Sequence, residues 1–191
     1  MNTPNFESNI REYAKAINVP KAIMEAVNYF NSNYEEANKK LYNMPFYGAL
    51  TGGAIDSVMA EYLTENSNSN LSFVKGNDAR NEDCVCVENK FYNTEIKTTC
   101  NPKQIMVGAR SNCAEGNAKK STKYVTDDYH FYIFTAFNRP QTPDDKLTIA
   151  NIWIGMMKPS DWSTSKSNRS SGAWVKRDVF NSQFINVKDL Y

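Results

Sequence analysis

The sequence predicts a single α/β (α+β) domain, with a mixed central β-sheet flanked by helices, on three observations. A chain of 191 residues suits one domain with one substantial core. Apolar residues recur at helical spacing in the first third, whereas the middle consists of short β-branched or aromatic runs. No internal repeat or long linker divides the chain. We therefore expect one domain over residues 1–191, made of a mainly helical part (1–65), a sheet core with an inserted helix (71–157) and a polar segment with a final strand (158–191).

Three helices are predicted in the helical part. The first covers residues 7–17, where apolar side chains form one stripe. Pro20 suits the first turn of a second helix, which fades near Asn43. The third covers residues 50–63 and stops where the polar run ENSNSN cannot continue an apolar face.

Five short runs in the middle of the chain have the composition and flanking loops of strands. A further helix is predicted between Ser111 and Lys123, and residues 180–187 have the character of a strand or a helix end. The five predicted strands are residues 71–75, 83–87, 93–99, 129–137 and 148–157.

Composition excludes several kinds of site. The net charge of +1 neither demands nor excludes a nucleic-acid partner. The only histidine, His130, rules out nuclease sites built on paired histidines and zinc sites built on three. Its run, YHFYIFTAF, is strongly β-prone, and a packed or partly exposed strand histidine is the favoured interpretation.

The cysteines and the N-terminus bear on compartment. Cys84, Cys86, Cys100 and Cys113 lack the spacing of structural zinc ligands, so buried thiols are expected, with a zinc-stabilised interaction module as the competing hypothesis. The polar N-terminus does not resemble a secretory signal, and no apolar run approaches the roughly 20 residues that span a bilayer. A cytoplasmic protein with reduced thiols and no membrane partner is therefore expected.

The stretch NEDCVCVENKFYNTEIKTT carries the most chemical information. Asp83 opens one predicted strand, and Glu95, Lys97 and Thr99 share one face of the next. Two adjacent strands could therefore present two carboxylates and an ammonium group at one end of a sheet. Carboxylate oxygens suit Mg²⁺, and a neighbouring lysine can orient a water and offset negative charge on a phosphate.

An acid-x-Lys triplet alone is weak evidence, and the chain offers rivals. The triplets at 88–90 and 144–146 fall in a predicted turn and in a proline-flanked loop, without strand context. Asp78 is an alternative to Asp83, but no apolar strand follows it. The competing interpretation of the triplet at 95–97 is an exposed strand face with a surface ion pair.

The combination of Asp83, eleven intervening residues and Glu95-Ile96-Lys97 resembles the core motif of the PD-(D/E)XK nuclease superfamily. The resemblance implies a restriction-endonuclease-like fold with these residues on a catalytic hairpin. It also implies that Asp83, Glu95 and the backbone carbonyl of Ile96 hold Mg²⁺, with Mn²⁺ as a substitute. Lys97 would orient the attacking water.

The resemblance covers roughly residues 48–99, and Glu82 stands where the family often has proline. Family members also place a carboxylate on a helix before the hairpin, often shortly after a glycine. Asp56, which follows Gly52 on the third predicted helix, resembles that catalytic residue, and Glu61 is the other candidate. Favourable helix-start chemistry is an equally good explanation of Asp56.

The size of the chain is that of a small type II restriction endonuclease. The resemblance then implies a homodimer that cuts double-stranded DNA within or near a short palindrome, leaving 5′-phosphate and 3′-hydroxyl ends. Replacement of Asp83, Glu95 or Lys97 by alanine is expected to abolish cleavage without loss of the fold. The alternatives are a junction resolvase, a repair nuclease or a catalytically silent DNA-binding domain of the same fold.

Two locally basic segments are candidates for DNA contact, one between residues 103 and 123 and one between 158 and 177. The second also contains Trp162 and Trp174 amid serines and asparagines. Such side chains contact phosphates and base edges, although a basic run is more often a solvent-exposed surface. The residues predicted to contact DNA are Thr99, Lys103, Arg110, Lys119, Lys120, Lys166, Asn168, Arg169, Lys176 and Arg177.

Overall fold

The computed structural model of the chain describes residues 4–68, 70–76, 82–100, 106–109, 128–164 and 172–191. Five helices lie in these ranges: α1 (Phe6–Ala16), α2 (Val19–Asn33), α3 (Glu35–Leu41), α4 (Tyr47–Glu65) and α5 (Arg177–Gln183). Nine strands are β1 (Phe73–Lys75), β2 (Cys84–Cys86), β3 (Thr94–Thr99), β4 (Met106–Ala109), β5 (His130–Asn138), β6 (Thr148–Met157), β7 (Trp162–Thr164), β8 (Gly172–Val175) and β9 (Phe184–Asn186).

The helical start is confirmed, with one correction. The side chain of Asn18 accepts a hydrogen bond from the backbone N–H of Lys21, and proline lies in the first turn of α2, as the sequence indicated. The predicted second helix is in fact two helices. Tyr34, with φ −120° and ψ 20°, leaves the helical conformation between α2 and α3. The apolar stripe did not signal this break, because Tyr34 still packs on the core.

The central sheet has six strands in the order β1-β2-β3-β5-β6-β9. Strands β3 and β5 run parallel, in a register from Thr94 opposite Phe131 to Thr99 opposite Ala136. The other neighbours are antiparallel. The mixed sheet flanked by helices, and with it the α/β (α+β) class, is therefore confirmed.

The C-terminal half contains strands that the sequence analysis missed. Strands β4, β7 and β8 form a second, antiparallel sheet in the order β4-β8-β7. Residues 180–187, predicted as a strand or a helix end, hold the end of α5 and all of β9. The helix predicted between Ser111 and Lys123 lies outside the described residues.

Both faces of the central sheet are covered, which explains the nearly continuous apolar run of β5. Phe131 and Ile133 face the main core beneath α1, α2 and α4. Tyr132 and Phe134 face a second cluster that includes residues of α5 and β9. Cys84 and Cys86 of β2 point into the main core and are buried, as expected for small thiols.

Helix α1 is attached to the sheet at the start of β3. The hydroxyl groups of Tyr13 and Thr94 form a buried hydrogen bond of 2.6 Å, and the Thr94 hydroxyl also donates to the carbonyl of Tyr92 at 2.7 Å. Helix α4 packs against β1 and β3. The helical layer therefore holds β3 from behind while its far end stays accessible.

Candidate active site

Three oxygen atoms, one from the residue before β2 and two from β3, meet at one point beside β3. The Lys97 ammonium donates to Asp83 Oδ2 at 3.2 Å and to the carbonyl oxygen of Ile96 at 2.9 Å. It also donates to Glu95 Oε1. The structure thus brings together Asp83, Glu95 and the Ile96 carbonyl, the three groups expected from the sequence to surround a cation, and Lys97 Nζ lies among them.

The backbone explains why Asp83 reaches this point. Strands β2 and β3 share a single registered pair, Cys84 opposite Thr94. Asp83 supplies a further link, because its Oδ2 accepts the backbone N–H of Ile96 at 2.9 Å. With Cys84 turned into the core, strand alternation turns Asp83 to the opposite side. The Asp83 carboxylate is therefore held against β3 by both the backbone and Lys97.

A polar network that the sequence analysis did not foresee lies behind Asp83. Asn93 donates to Glu82 Oε2 at 3.3 Å and accepts the backbone N–H of Cys86 at 3.0 Å. Glu82 also pairs with Nδ1 of His130 at the start of β5. Burial would raise the pKa of Glu82, but its hydrogen bonds with His130 and Asn93 lower it below its ordinary value. His130 is thus a partly buried strand residue with a structural partner.

The charged side chains of β3 lie where the strand passes from the buried interior towards the pocket. Burial falls along β3: Thr94, Glu95 and Ile96 are buried, and the next three residues are half-buried. The Glu95 side chain has no exposed surface, and 18% of that of Lys97 is exposed. Burial would lower the pKa of Lys97, but Glu95 and Asp83 raise it above its ordinary value. The lysine therefore remains an ammonium ion at neutral pH.

Asp56 of α4 adds a third carboxylate to the same region. Burial, and then the charge of Asp83, raises the pKa of Asp56 to about 6. Its Oδ1 is buried and has no hydrogen-bond partner among the described residues. Glu61, the other candidate on this helix, is exposed. An unpartnered carboxylate oxygen beside other carboxylates is costly unless a cation compensates it.

Gly52 lets α4 approach β3 closely enough to bring Asp56 here. A Cβ atom at residue 52 would lie 2.6 Å from the hydroxyl oxygen of Thr98, which is closer than real contacts allow. The adjacent Gly53 has no atom within 4 Å of the equivalent position. The two glycines therefore differ in function: the first permits helix–strand contact, and the second faces open space.

Asp56, Asp83 and Lys97 line a pocket of about 510 Å³. Helix α4 forms one wall between Gly48 and Asp56, and β3 with the following residue forms another between Ile96 and Cys100. Thr99, which was predicted to contact DNA, lines this pocket. So does Trp174 of β8, a residue to which the sequence analysis assigned no definite contact.

The other residues predicted to contact DNA do not line this pocket where the structure describes them. The Lys176 ammonium donates to the carbonyl of Ser160 at 2.9 Å, and Arg177 is exposed at the start of α5. Their DNA contacts stay predictions. Asp78, Cys113 and seven of the predicted DNA-contacting residues lie outside the described residues: Lys103, Arg110, Lys119, Lys120, Lys166, Asn168 and Arg169.

The donor set fits a hard divalent cation, although it is not a closed cage. Among the described residues, no group of three or more histidine, cysteine, aspartate or glutamate side chains is arranged to hold a metal ion by itself. Mg²⁺ commonly takes one or two protein carboxylates and completes its shell with water and substrate phosphate. Asp83, Glu95 and the Ile96 carbonyl provide that kind of partial shell.

No helix in the described part of the chain is both long and apolar enough to cross a membrane.

Comparisons with known proteins identify the family. Neither the curated proteins nor the solved structures contain a significant match. The family model of the ScaI restriction endonuclease matches residues 19–188, which include α2 to α5, both sheets and the whole candidate site. The chain therefore belongs to the ScaI restriction endonuclease family.

Proposed function

We propose that the chain is a Mg²⁺-dependent type II restriction endonuclease that hydrolyses DNA phosphodiester bonds at the site of Asp83, Glu95 and Lys97. The observation that carries this proposal is the convergence of Asp83 Oδ2, Glu95 Oε1 and the Ile96 carbonyl on one point, now taken by the Lys97 ammonium. Family membership supplies DNA as the substrate class.

Each group has a distinct task in hydrolysis. Bound Mg²⁺, or Mn²⁺ in its place, would polarise the phosphate and lower the pKa of a coordinated water. Asp83, Glu95 and the Ile96 carbonyl would hold the cation. Lys97 orients the attacking water and offsets the negative charge that develops on the phosphate.

Asp56 acts as a supporting carboxylate in this proposal. Its pKa is raised and one of its oxygens has no partner among the described residues, so a cation entering the pocket would stabilise its ionised form. Because α4 lies against β3 at Gly52, Asp56 is held close to the hairpin.

The larger features of the reaction follow from the family and stay proposals. A homodimer with one site per subunit would cut both strands within or near a short palindrome. The products would carry 5′-phosphate and 3′-hydroxyl ends. A restriction enzyme of this kind acts on double-stranded DNA inside the cell, without a membrane partner.

The deciding experiment is incubation of the purified protein with plasmid and phage DNA, with Mg²⁺ or with EDTA. We expect discrete fragments that require Mg²⁺, and their complete loss in Asp83→Asn, Glu95→Gln and Lys97→Met. Glu61→Gln on the exposed side of α4 is the matched control and should cut normally. Binding of DNA without metal-dependent cutting would instead identify a silent DNA-binding domain. Cutting restricted to branched DNA would indicate a resolvase.

A further inference from the structure

The pocket is lined by two chemically different kinds of residue. Asp56, Asp83 and Lys97 are ionisable, whereas Thr98, Cys100 and Trp174 are not charged. Burial raises the pKa of the Cys100 thiol, so this side chain is uncharged at neutral pH. A ligand that fits the whole pocket would combine an anionic group with a flat, largely apolar body.

Strand pairing holds the backbone of Trp174 in place. It lies on β8, the middle strand of the second sheet, opposite Met106 on one side and Ser163 on the other. Its side chain is half-buried and lines the pocket. Strand pairing on both sides fixes the backbone from which the indole ring projects.

The wall of the pocket formed by α4 leaves room for a flat ligand group in addition to the Trp174 indole ring. Gly48 and Gly53 have no atom within 4 Å of where a Cβ would lie, so this part of the helix surface is open. Ala49 is the next small residue on the same wall. Space is therefore available along the α4 wall of the pocket that Trp174 also lines.

We infer that this pocket holds the nucleotide next to the scissile phosphate, with its phosphate at Lys97 and its base stacked on Trp174. The inference rests on the proposed function and adds a base-binding subsite to it. Stacking of bases on aromatic rings tolerates any base, since every base has a π face. Trp174 would therefore strengthen binding without reading the sequence, and in duplex DNA the base would have to leave the helical stack to reach it.

A binding test needs neither a recognition sequence nor turnover. The chain has three tryptophans, Trp153, Trp162 and Trp174, and Trp162 is almost fully buried. Thymidine 5′-monophosphate, titrated with Mg²⁺ present, should quench tryptophan fluorescence in a saturable way. The quench should disappear in Trp174→Phe and persist in Trp153→Phe. Deoxyribose 5-phosphate, which lacks the base, should quench little.

Cleavage kinetics provide the second test. Trp174→Ala should raise KM roughly tenfold, in line with the usual effect of removing one stacking side chain, while Trp174→Phe should recover most of the loss. Gly48→Leu should have a similar effect, because its side chain would enter the open space. Trp153→Phe should cut as the unaltered protein does.

Different outcomes test the proposed function and the base subsite. If the unaltered protein never cuts DNA, the proposed function is wrong whatever the fluorescence shows. If it cuts, but thymidine 5′-monophosphate gives no saturable quench up to its solubility limit, or the quench survives in Trp174→Phe, the base subsite is wrong and the proposed function stands. An unchanged KM in Trp174→Ala would also overturn the subsite.

Discussion

Asp56 is the residue whose replacement best separates stability from activity. The raised pKa of about 6 means that keeping this carboxylate ionised in the folded, metal-free protein costs free energy. A rise of about two units above the ordinary value corresponds to roughly 3 kcal/mol. Because the side chain is partly open to the pocket, solvent screening reduces this, and we expect Asp56→Asn to stabilise the metal-free protein by about 1–2 kcal/mol at about pH 8.

The direction of the pH dependence follows from proton binding. Between the unfolded pKa, 3.8, and the folded value, about 6, the folded protein binds more protons than the unfolded chain. The stability of the unaltered protein therefore falls as pH rises through this interval, and the deficit is complete above it. The asparagine variant lacks this loss, so its advantage at about pH 5 should be about half that at about pH 8.

Urea unfolding in EDTA at the two pH values measures this difference. Glu61→Gln, an exposed change on the same helix, should leave stability unchanged at both. Asp56→Asn should at the same time slow Mg²⁺-dependent cleavage, since it removes the supporting carboxylate. A variant that is no more stable than the unaltered protein at about pH 8 would refute the argument that burial strains this carboxylate.

Three further changes test how the site is built. Lys97→Met should destabilise the metal-free protein by about 3–5 kcal/mol, because it removes the cation that pairs with the buried Glu95 carboxylate, and Mg²⁺ in place of EDTA should restore much of the lost stability. Gly52→Ala should lower the stability of the protein by about 1–3 kcal/mol, because its Cβ would clash with Thr98 of β3. Gly53→Ala should raise the stability by about 0.5–1 kcal/mol, because it lowers the entropy of the unfolded chain. Equal effects would show that Gly52 is not needed for the close approach of α4 to β3. Asn93→Ala removes two hydrogen bonds of the hairpin and should lower the thermal midpoint and slow cleavage, with unchanged cleavage as the contrary result.

The hairpin could be predicted from the sequence because its information is local. Strand alternation is enough to place Asp83 and Lys97 on compatible faces, and a turn of few residues joins their strands. The long apolar run of β5 was likewise enough to predict a strand, and the structure shows that both of its faces are covered. In both cases the signal lies within about ten residues, where composition and periodicity are informative.

The remaining contacts of the site join residues far apart in the chain, and no local sequence pattern predicts them. The pairing of Glu82 with His130 joins residues far apart in sequence, and neither has a distinctive local pattern. Strands β7 and β8 are three and four residues long and lie in a serine-rich stretch, so their tertiary pairing outweighs their composition. Trp174 reaches the pocket only through that pairing, which is why its place there had to be observed.

Because burial falls along β3, replacements in its first half should affect folding, whereas replacements near its end should affect cleavage. At Thr94 and Ile96, side chains belong to the packed interior, so most replacements should reduce the yield of folded protein. At Thr99, which borders the cavity, replacements should leave expression intact and alter the cutting rate or the preferred DNA. A library that varies the six residues of β3, sorted separately for solubility and for toxicity to the host, would therefore split near the middle of the strand.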